Sequence, residues 1–190
     1  MIVPTFFPDF VDLVRQIFST QGSIPLHSTS VKGNERRYVS NTLESTYVSS
    51  VGEYVNEFEN KISEFTGARF VIATNNGTSA LHIALLSCDV QNGDEVITQP
   101  LTFVATCNAI RYCGADPVFV DIERSTLGMS PDRLITFLEE HAEVRDDGYC
   151  WNRSSNRIIR ACVPVDNHGH PARVADILNV CTRYNIALVE

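Results

Sequence analysis

From residue 70 onward, short runs of β-forming residues alternate with stretches of helical apolar spacing, and this alternation constrains the fold more than any other feature of the sequence. FVIAT (70–74), EVIT (95–98), PVFVDI (117–122), IIRACVPV (158–165) and IALV (186–189) read as strands. TSALHIALLSC is apolar almost all round and reads as a buried helix. A second helix is predicted near 103–113, ending at Gly114. A third is opened by Ser130 and Pro131, with Leu134, Ile135, Phe137 and Leu138 inward, and a fourth runs from Pro171 to about Tyr184. Residues 142–157 are polar and turn-rich, and predict a surface hairpin or loop. Parallel neighbours need long crossovers, and helices of this length supply them. The expected fold class is α/β, a mostly parallel sheet with helices on both faces.

The first fifty residues follow a different pattern. An amphipathic segment from Phe10 to Phe18 leads into QGSIPLHSTSVKGNERRY, which is rich in Gly, Ser and Thr and predicted to be irregular. Asn34 is placed to cap a helix reaching about Leu43. Ser50 and Glu53 have capping-box spacing, followed by Val51, Tyr54, Val55, Phe58, Ile62 and Phe65 at helical intervals up to Gly67. The expected organisation is an arm over 1–49, laid on the domain or on a partner, and a domain over 50–190.

Composition narrows the function classes. The chain has 190 residues, 44% apolar and 20% charged, as a folded globular chain does. Fifteen basic against 23 acidic residues leave a net charge of −8, which argues against nucleic acid or an anionic membrane as the partner. No window approaches 18 uninterrupted apolar residues, and MIVPTFFPDFVDLVRQ lacks a basic n-region, so a cytoplasmic protein is expected. Six cysteines, at 88, 107, 113, 150, 162 and 181, form no C-x-x-C and read as buried thiols. Cys162, His168 and His170 lack the paired spacing of a zinc site, so no metal site is expected.

In parallel α/β sheets, ligands sit beyond the carboxyl ends of the strands. That rule selects Asn75 to Ser79, Gln99 to Phe103, Asp121 to Glu123, Asp166 to His170, and Glu190. In NNGTSA a glycine turn leads directly into a helix. The first-turn amides near Thr78, Ser79 and Ala80 lack helical acceptors and lie at the positive end of the dipole. Gly77 lets an anion approach the backbone, and the Thr78 and Ser79 hydroxyls add donors, so the segment has the make-up of a phosphate cup. A plain helix cap at Thr78 is the competing reading. Neither a Walker loop nor a dinucleotide fingerprint is present. Phe103 either joins the core or stacks on a flat heteroaromatic ligand. Asp121 reads as turn chemistry, and DNHGHP as a loop before a helix.

GNERRYV, VSSVGEYVNEFE, NNGTSALHIAL, NGDEVITQPLTFVATCNAIRYCGADPVFVDI and VPVDNHGHPARVADIL follow one another in this order. Together they resemble the DegT/DnrJ/EryC1/StrS family of sugar aminotransferases, fold-type I enzymes that use pyridoxal 5'-phosphate, from about Gly22 to Glu190. The resemblance implies the N-terminal portion of the large domain of that fold. PLHSTSVKGNE, VSSVG and the 142–157 loop look most like the branch that aminates UDP-linked 4-keto-6-deoxy-N-acetylhexosamines, of the legionaminic acid or bacillosamine type. It further implies glutamate as amine donor, a homodimer, and a role in surface polysaccharide or nonulosonate sugar biosynthesis. Carried over by motif, Gly77, Thr78 and Ser79 hold the cofactor phosphate and Phe103 stacks on its ring.

The sequence also departs from the family. The pyridinium-pairing carboxylate belongs to an E-D-A-A motif, and the chain stops at Glu190, one residue short of that Asp. The Schiff-base lysine has no counterpart: Lys32 and Lys61 are the only lysines, and neither lies at a matching motif. No catalytic residue is therefore expected within the chain. It reads as a fragment of a longer enzyme, a truncated product, or a non-catalytic phosphate-binding or dimerisation module. DNHGH differs too, since the family usually has His at the position of Asp166 and an aromatic at that of His168. A sheet missing its later strands exposes edges and apolar helix faces. The 190-residue chain is expected to self-associate, and a monodisperse monomer by light scattering would contradict this.

Overall fold

The computed structural model describes residues 6–25 and 28–190. The chain forms two compact units, one ending at Phe65 and one spanning Thr66–Glu190. Residues 1–5 of the expected arm, and Leu26 and His27 of the expected irregular stretch, lie outside the described residues.

The first unit contains α1 (Phe6–Phe18), α2 (Glu35–Ser45) and α3 (Glu53–Thr66). Asn34 occupies the N-cap of α2, but its side chain makes no cap bond. Instead the Glu35 carboxylate accepts from Gly33 N at 2.8 Å. The predicted Ser50–Glu53 box does not form. A box needs its glutamate at the third helical position. Glu53 is the first residue of α3, and the Gly52 carbonyl accepts from Val55 N at 3.0 Å. Ser49 serves locally, its hydroxyl accepting from Val51 N at 3.0 Å. α2 and α3 join through Tyr38 and Tyr54, packed edge to face at 5.2 Å, and through Asn41 Nδ2 donating to the Tyr54 hydroxyl at 3.0 Å.

The second unit runs α4 (Gly77–Ser87), β1 (Glu95–Thr98), α5 (Val104–Tyr112), β2 (Asp116–Phe119), α6 (Pro131–His141), β3 (Ala142–Val144), β4 (Cys150–Asn152), β5 (Arg157–Val163), α7 (Val174–Arg183) and β6 (Ala187–Leu188). β1 lies between β2 and β5, parallel to both. The second half of β5 pairs in parallel with β6. Its first half pairs antiparallel with β4, which closes the predicted hairpin with β3. Side chains alternate across the sheet, except that a register shift between Glu95 and Val96 resets the faces of β5 between Ile159 and Ala161. Ile97, Ile159 and Cys162 face one core with Leu134 and Leu138 of α6 and Ile177 and Cys181 of α7. Val96, Ala161 and Val163 face the other with Leu85 of α4 and Ala109 and Ile110 of α5. The α/β architecture with helices on both faces is as the sequence predicts.

Three expectations are corrected. FVIAT is not a strand: residues 70–74 carry no regular structure. A strand exists through its ladder, and the run belongs to no sheet of the described residues, with Phe70 78% and Ile72 75% exposed. α4 is not a buried helix, since Leu85 is its only fully buried residue and Ile83 and Leu86 face outward. A sequence apolar all round does not reveal that only one face meets the core. The last helix opens at Val174 rather than Pro171. Asp166 Oδ1 accepts from Ala172 N at 2.8 Å, which closes the loop across Asn167–Pro171 ahead of the helix.

All six cysteines are free thiols. Cys162 lies in the core, its Sγ 3.6 Å from Met129 Sδ, whereas His168 and His170 are exposed, so these three do not converge. Burial pushes the Cys150 thiol up to about 11. The hydrogen bond with Cys181, and burial, hold the Cys162 thiol protonated.

The amino ends of the strands carry charge. Arg160 Nε meets Asp94 Oδ2 at 3.1 Å with both side chains nearly buried, and the guanidinium lies 4.3 Å from the centre of the Tyr149 ring. Asn152 Nδ2 donates to the buried Glu95 carboxylate at 2.8 Å. Asp116 pairs with Arg111 and Arg157 at a far more exposed position. Removing one partner of a buried pair strands the other charge. Asp94→Ala is expected to cost about 3 kcal/mol in urea unfolding. Asp116→Ala is expected to cost about 1 kcal/mol or less, because solvent screens its partners.

Candidate cofactor-binding site

The carboxyl ends of β1, β2 and β5 all lie in the second unit, as does the start of α4. Asn76 enters α4 in an extended conformation. Its Oδ1 accepts from Ser79 N at 2.9 Å, and its carbonyl accepts from Ala80 N at 3.1 Å. Two of the first-turn amides expected to be open are therefore satisfied within the helix start. Among the described residues, Gly77 N and Thr78 N have no partner. A Cβ placed on Gly77 would meet nothing within 4 Å. The backbone at Gly77 is thus open to approach at the positive end of the helix. Thr78 and Ser79 are half-buried at the same turn.

Phe103 is the N-cap residue of α5, with φ −71° and ψ 141°, and its carbonyl accepts from Thr106 N at 3.2 Å. Its ring is 76% exposed, so it is not part of the core. α4 and α5 pack on one another, with the His82 and Tyr112 rings edge to face at 5.7 Å. Gly77, Thr78, Ser79 and Phe103 thus sit at the starts of two adjacent helices.

The remaining strand-end positions behave locally. Asp121 Oδ1 accepts from Ile122 N at 2.8 Å, which is turn chemistry. His168 is exposed and adopts a left-handed conformation, φ 55°, inside a short 3-10 turn over Asn167–Gly169. Glu190 is exposed.

Two residues at the strand ends escaped the sequence reading in any specific role. Gln99 follows β1 directly and is fully buried. Its Oε1 accepts from Met129 N at 2.8 Å and Val165 N at 3.1 Å, and its Nε2 donates to Leu101 O at 2.9 Å. Asn167 Nδ2 donates to Leu101 O at 3.0 Å and to Leu127 O at 2.5 Å. The available signal was a glutamine directly after a strand with no exposed position.

The second unit is thus an α/β sheet with a helix start and an exposed Phe103 at the openings of two packed helices. Comparison with known proteins places the chain in a family. The model of the DegT/DnrJ/EryC1/StrS aminotransferase family matches residues 29–190, and the chain belongs to that family. It is 35% identical over 167 residues to the GDP-perosamine synthase of Escherichia coli O157:H7, covering 88% of this chain and 41% of that protein. The chain thus spans about two fifths of the length of the curated relatives it matches. Among solved structures it resembles an aminotransferase from Psychrobacter cryohalolentis, with TM-score 0.68, 28% identity, and coverage of 86% of this chain and 38% of that one. It also resembles NtdA from Bacillus subtilis, solved with bound cofactor PMP, with TM-score 0.65, 25% identity, and coverage of 92% and 38%.

Asn76 separates stability from charge at this helix start. Asn76→Ala is expected to cost about 1 kcal/mol in chemical unfolding, through loss of the cap to Ser79 N. Asn76→Asp keeps that bond and favours the dipole, so its stability is expected to equal or exceed the parent.

Proposed function

We propose that this chain holds the phosphate and one ring face of pyridoxal 5'-phosphate in a sugar aminotransferase of surface polysaccharide biosynthesis. The observation that carries the proposal is the pair of main-chain donors at Gly77 N and Thr78 N without a partner among the described residues, at a glycine open to approach and beside the half-buried Thr78 and Ser79. These groups would grip the phosphate dianion without a basic side chain, by main-chain amides and hydroxyls. Phe103, exposed at the start of the neighbouring helix, would lie on the ring. When bound, the coenzyme supplies the electron sink through which an amino group passes from donor to ketone. The proposed acceptor is a nucleotide-linked 4-keto sugar, the donor is glutamate, and the setting is a homodimer in the cytoplasm. The sequence motifs favour UDP as the nucleotide, while the relative named GDP-perosamine synthase favours GDP. Titration with both nucleotide sugars decides between them.

The residues from Thr66 onward contain no lysine, and Lys61 pairs with Glu57 on its own helix at 2.5 Å. The chain by itself is therefore expected to bind the coenzyme and not to transaminate. The same observation gives some support to a second reading, a phosphate-binding module without chemistry.

Calorimetric titration of the chain with pyridoxal 5'-phosphate and with inorganic phosphate tests both. Saturable binding of the coenzyme is expected, tighter than that of inorganic phosphate, and about tenfold weaker in a Thr78→Val, Ser79→Ala double variant. Asn76→Asp, which leaves the helix stable, is expected to weaken both ligands by charge repulsion. Equal affinity for the two ligands would favour the module, and no binding by the folded chain would overturn the proposal.

A further inference from the structure

We propose that Gln99 and Asn167 form a two-amide clamp that positions the Phe103 loop, and so sets the ring-stacking side of the site independently of the phosphate side. The inference rests on the coenzyme reading above. Three loops leave the carboxyl ends of β1, β2 and β5, where sheet pairing has ended and main-chain groups need new partners. A primary amide side chain is suited to that task because it offers two acceptor lone pairs and two donors. Gln99 uses both halves: it accepts from the loop after β2 at Met129 N, accepts from the loop after β5 at Val165 N, and donates to its own loop at Leu101 O. Asn167 donates to that same Leu101 carbonyl and to Leu127 O. Leu101 O is thus held from two sides, two residues before Phe103.

The clamp also works against a backbone preference. Leu127 is left-handed, with φ 58°, a conformation that a leucine adopts only when its surroundings enforce it. Its carbonyl points at Asn167 Nδ2, and Gln99 Nε2 lies 3.5 Å away. Other contacts tie the loops after β2 and β5 together. A Cβ on Gly128 would come within 2.7 Å of Ala172 Cβ, and Arg173 Nη1 meets Glu123 Oε2 at 3.4 Å. None of these clamp bonds reaches α4; among the described residues its start is capped by Asn76, whose carbonyl also accepts from Thr74 Oγ1 at 3.0 Å. Loosening the clamp should therefore move the ring side and leave the phosphate side in place.

The test is the split between two ligands. Asn167→Ala removes only the donor pair. It is expected to weaken pyridoxal 5'-phosphate about tenfold while leaving the affinity for inorganic phosphate within about twofold. Gln99→Glu keeps the acceptor for Met129 and Val165 but turns an oxygen toward Leu101 O, and the same split is expected. Hydrogen exchange of the ligand-free chain supplies the second measurement. Exchange should quicken by about tenfold at residues 101–106 in Asn167→Ala, with no change at Ile159 to Val163 of the sheet. An unchanged coenzyme affinity, or parallel loss of both ligands, would overturn the clamp. Failure of the parent chain to bind either ligand would instead overturn the coenzyme reading on which it rests.

Discussion

β1 is buried at every position and has parallel neighbours on both sides, so everything at its two ends must be satisfied without water. The two ends solve this differently. At the amino end, Asp94 and Glu95 are matched by Arg160 from β5 and Asn152 from β4. At the carboxyl end the buried bonds are neutral: Thr98 Oγ1 donates to Val163 O at 2.9 Å, and Gln99 closes the loops, while the Arg173–Glu123 pair lies at the rim. Charge-assisted bonds at the amino end are the stronger kind. A neutral amide such as Gln99 satisfies main-chain donors and acceptors at once without burying a charge.

The two sides of the candidate site are consequently built from different materials. In the proposed site the phosphate side would use main-chain N–H groups of α4, which any residue supplies provided the approach is open, as it is at Gly77. The ring side would depend on one named side chain, Phe103, whose loop is held by bonds at Leu101 O. A main-chain cup tolerates substitution around it. A loop-borne aromatic does not, and the structure surrounds that loop with side-chain hydrogen bonds rather than with packing alone.

The sheet was legible in the sequence because β1, β2 and β5 each carry an uninterrupted β-rich run between strong turn signals such as Asn92-Gly93 and Gly114. The hairpin over 142–157 was legible from its polarity. Residues 70–74 have the same local character and yet form no strand: a strand is a property of a ladder, and the run joins no ladder of the described sheet. The α3 box failed for a related reason: S-x-x-E spacing is met at Ser50 and Glu53, but Gly52 starts the helix two residues later. Gly77, Thr78, Ser79 and Phe103 could be named because their motif is contiguous. Gln99 and Asn167 could not, because 68 positions separate them in the chain and they meet only through Leu101 O and Leu127 O.

The strain at Leu127 links these observations. A glycine or asparagine would adopt φ 58° without enforcement, and the loop would then need no clamp. With leucine there, the turn is held twice over: from within its loop, by Leu127 N donating to Glu123 O at 3.0 Å and Glu123 N to Gly128 O at 2.9 Å, and from outside, by Gln99 and Asn167 at the Leu127 carbonyl. If either amide lets go, Leu127 O and Leu101 O lose a shared donor in the same event. In the proposed clamp, that sharing would couple the three loops on which the ring side of the site is to rest.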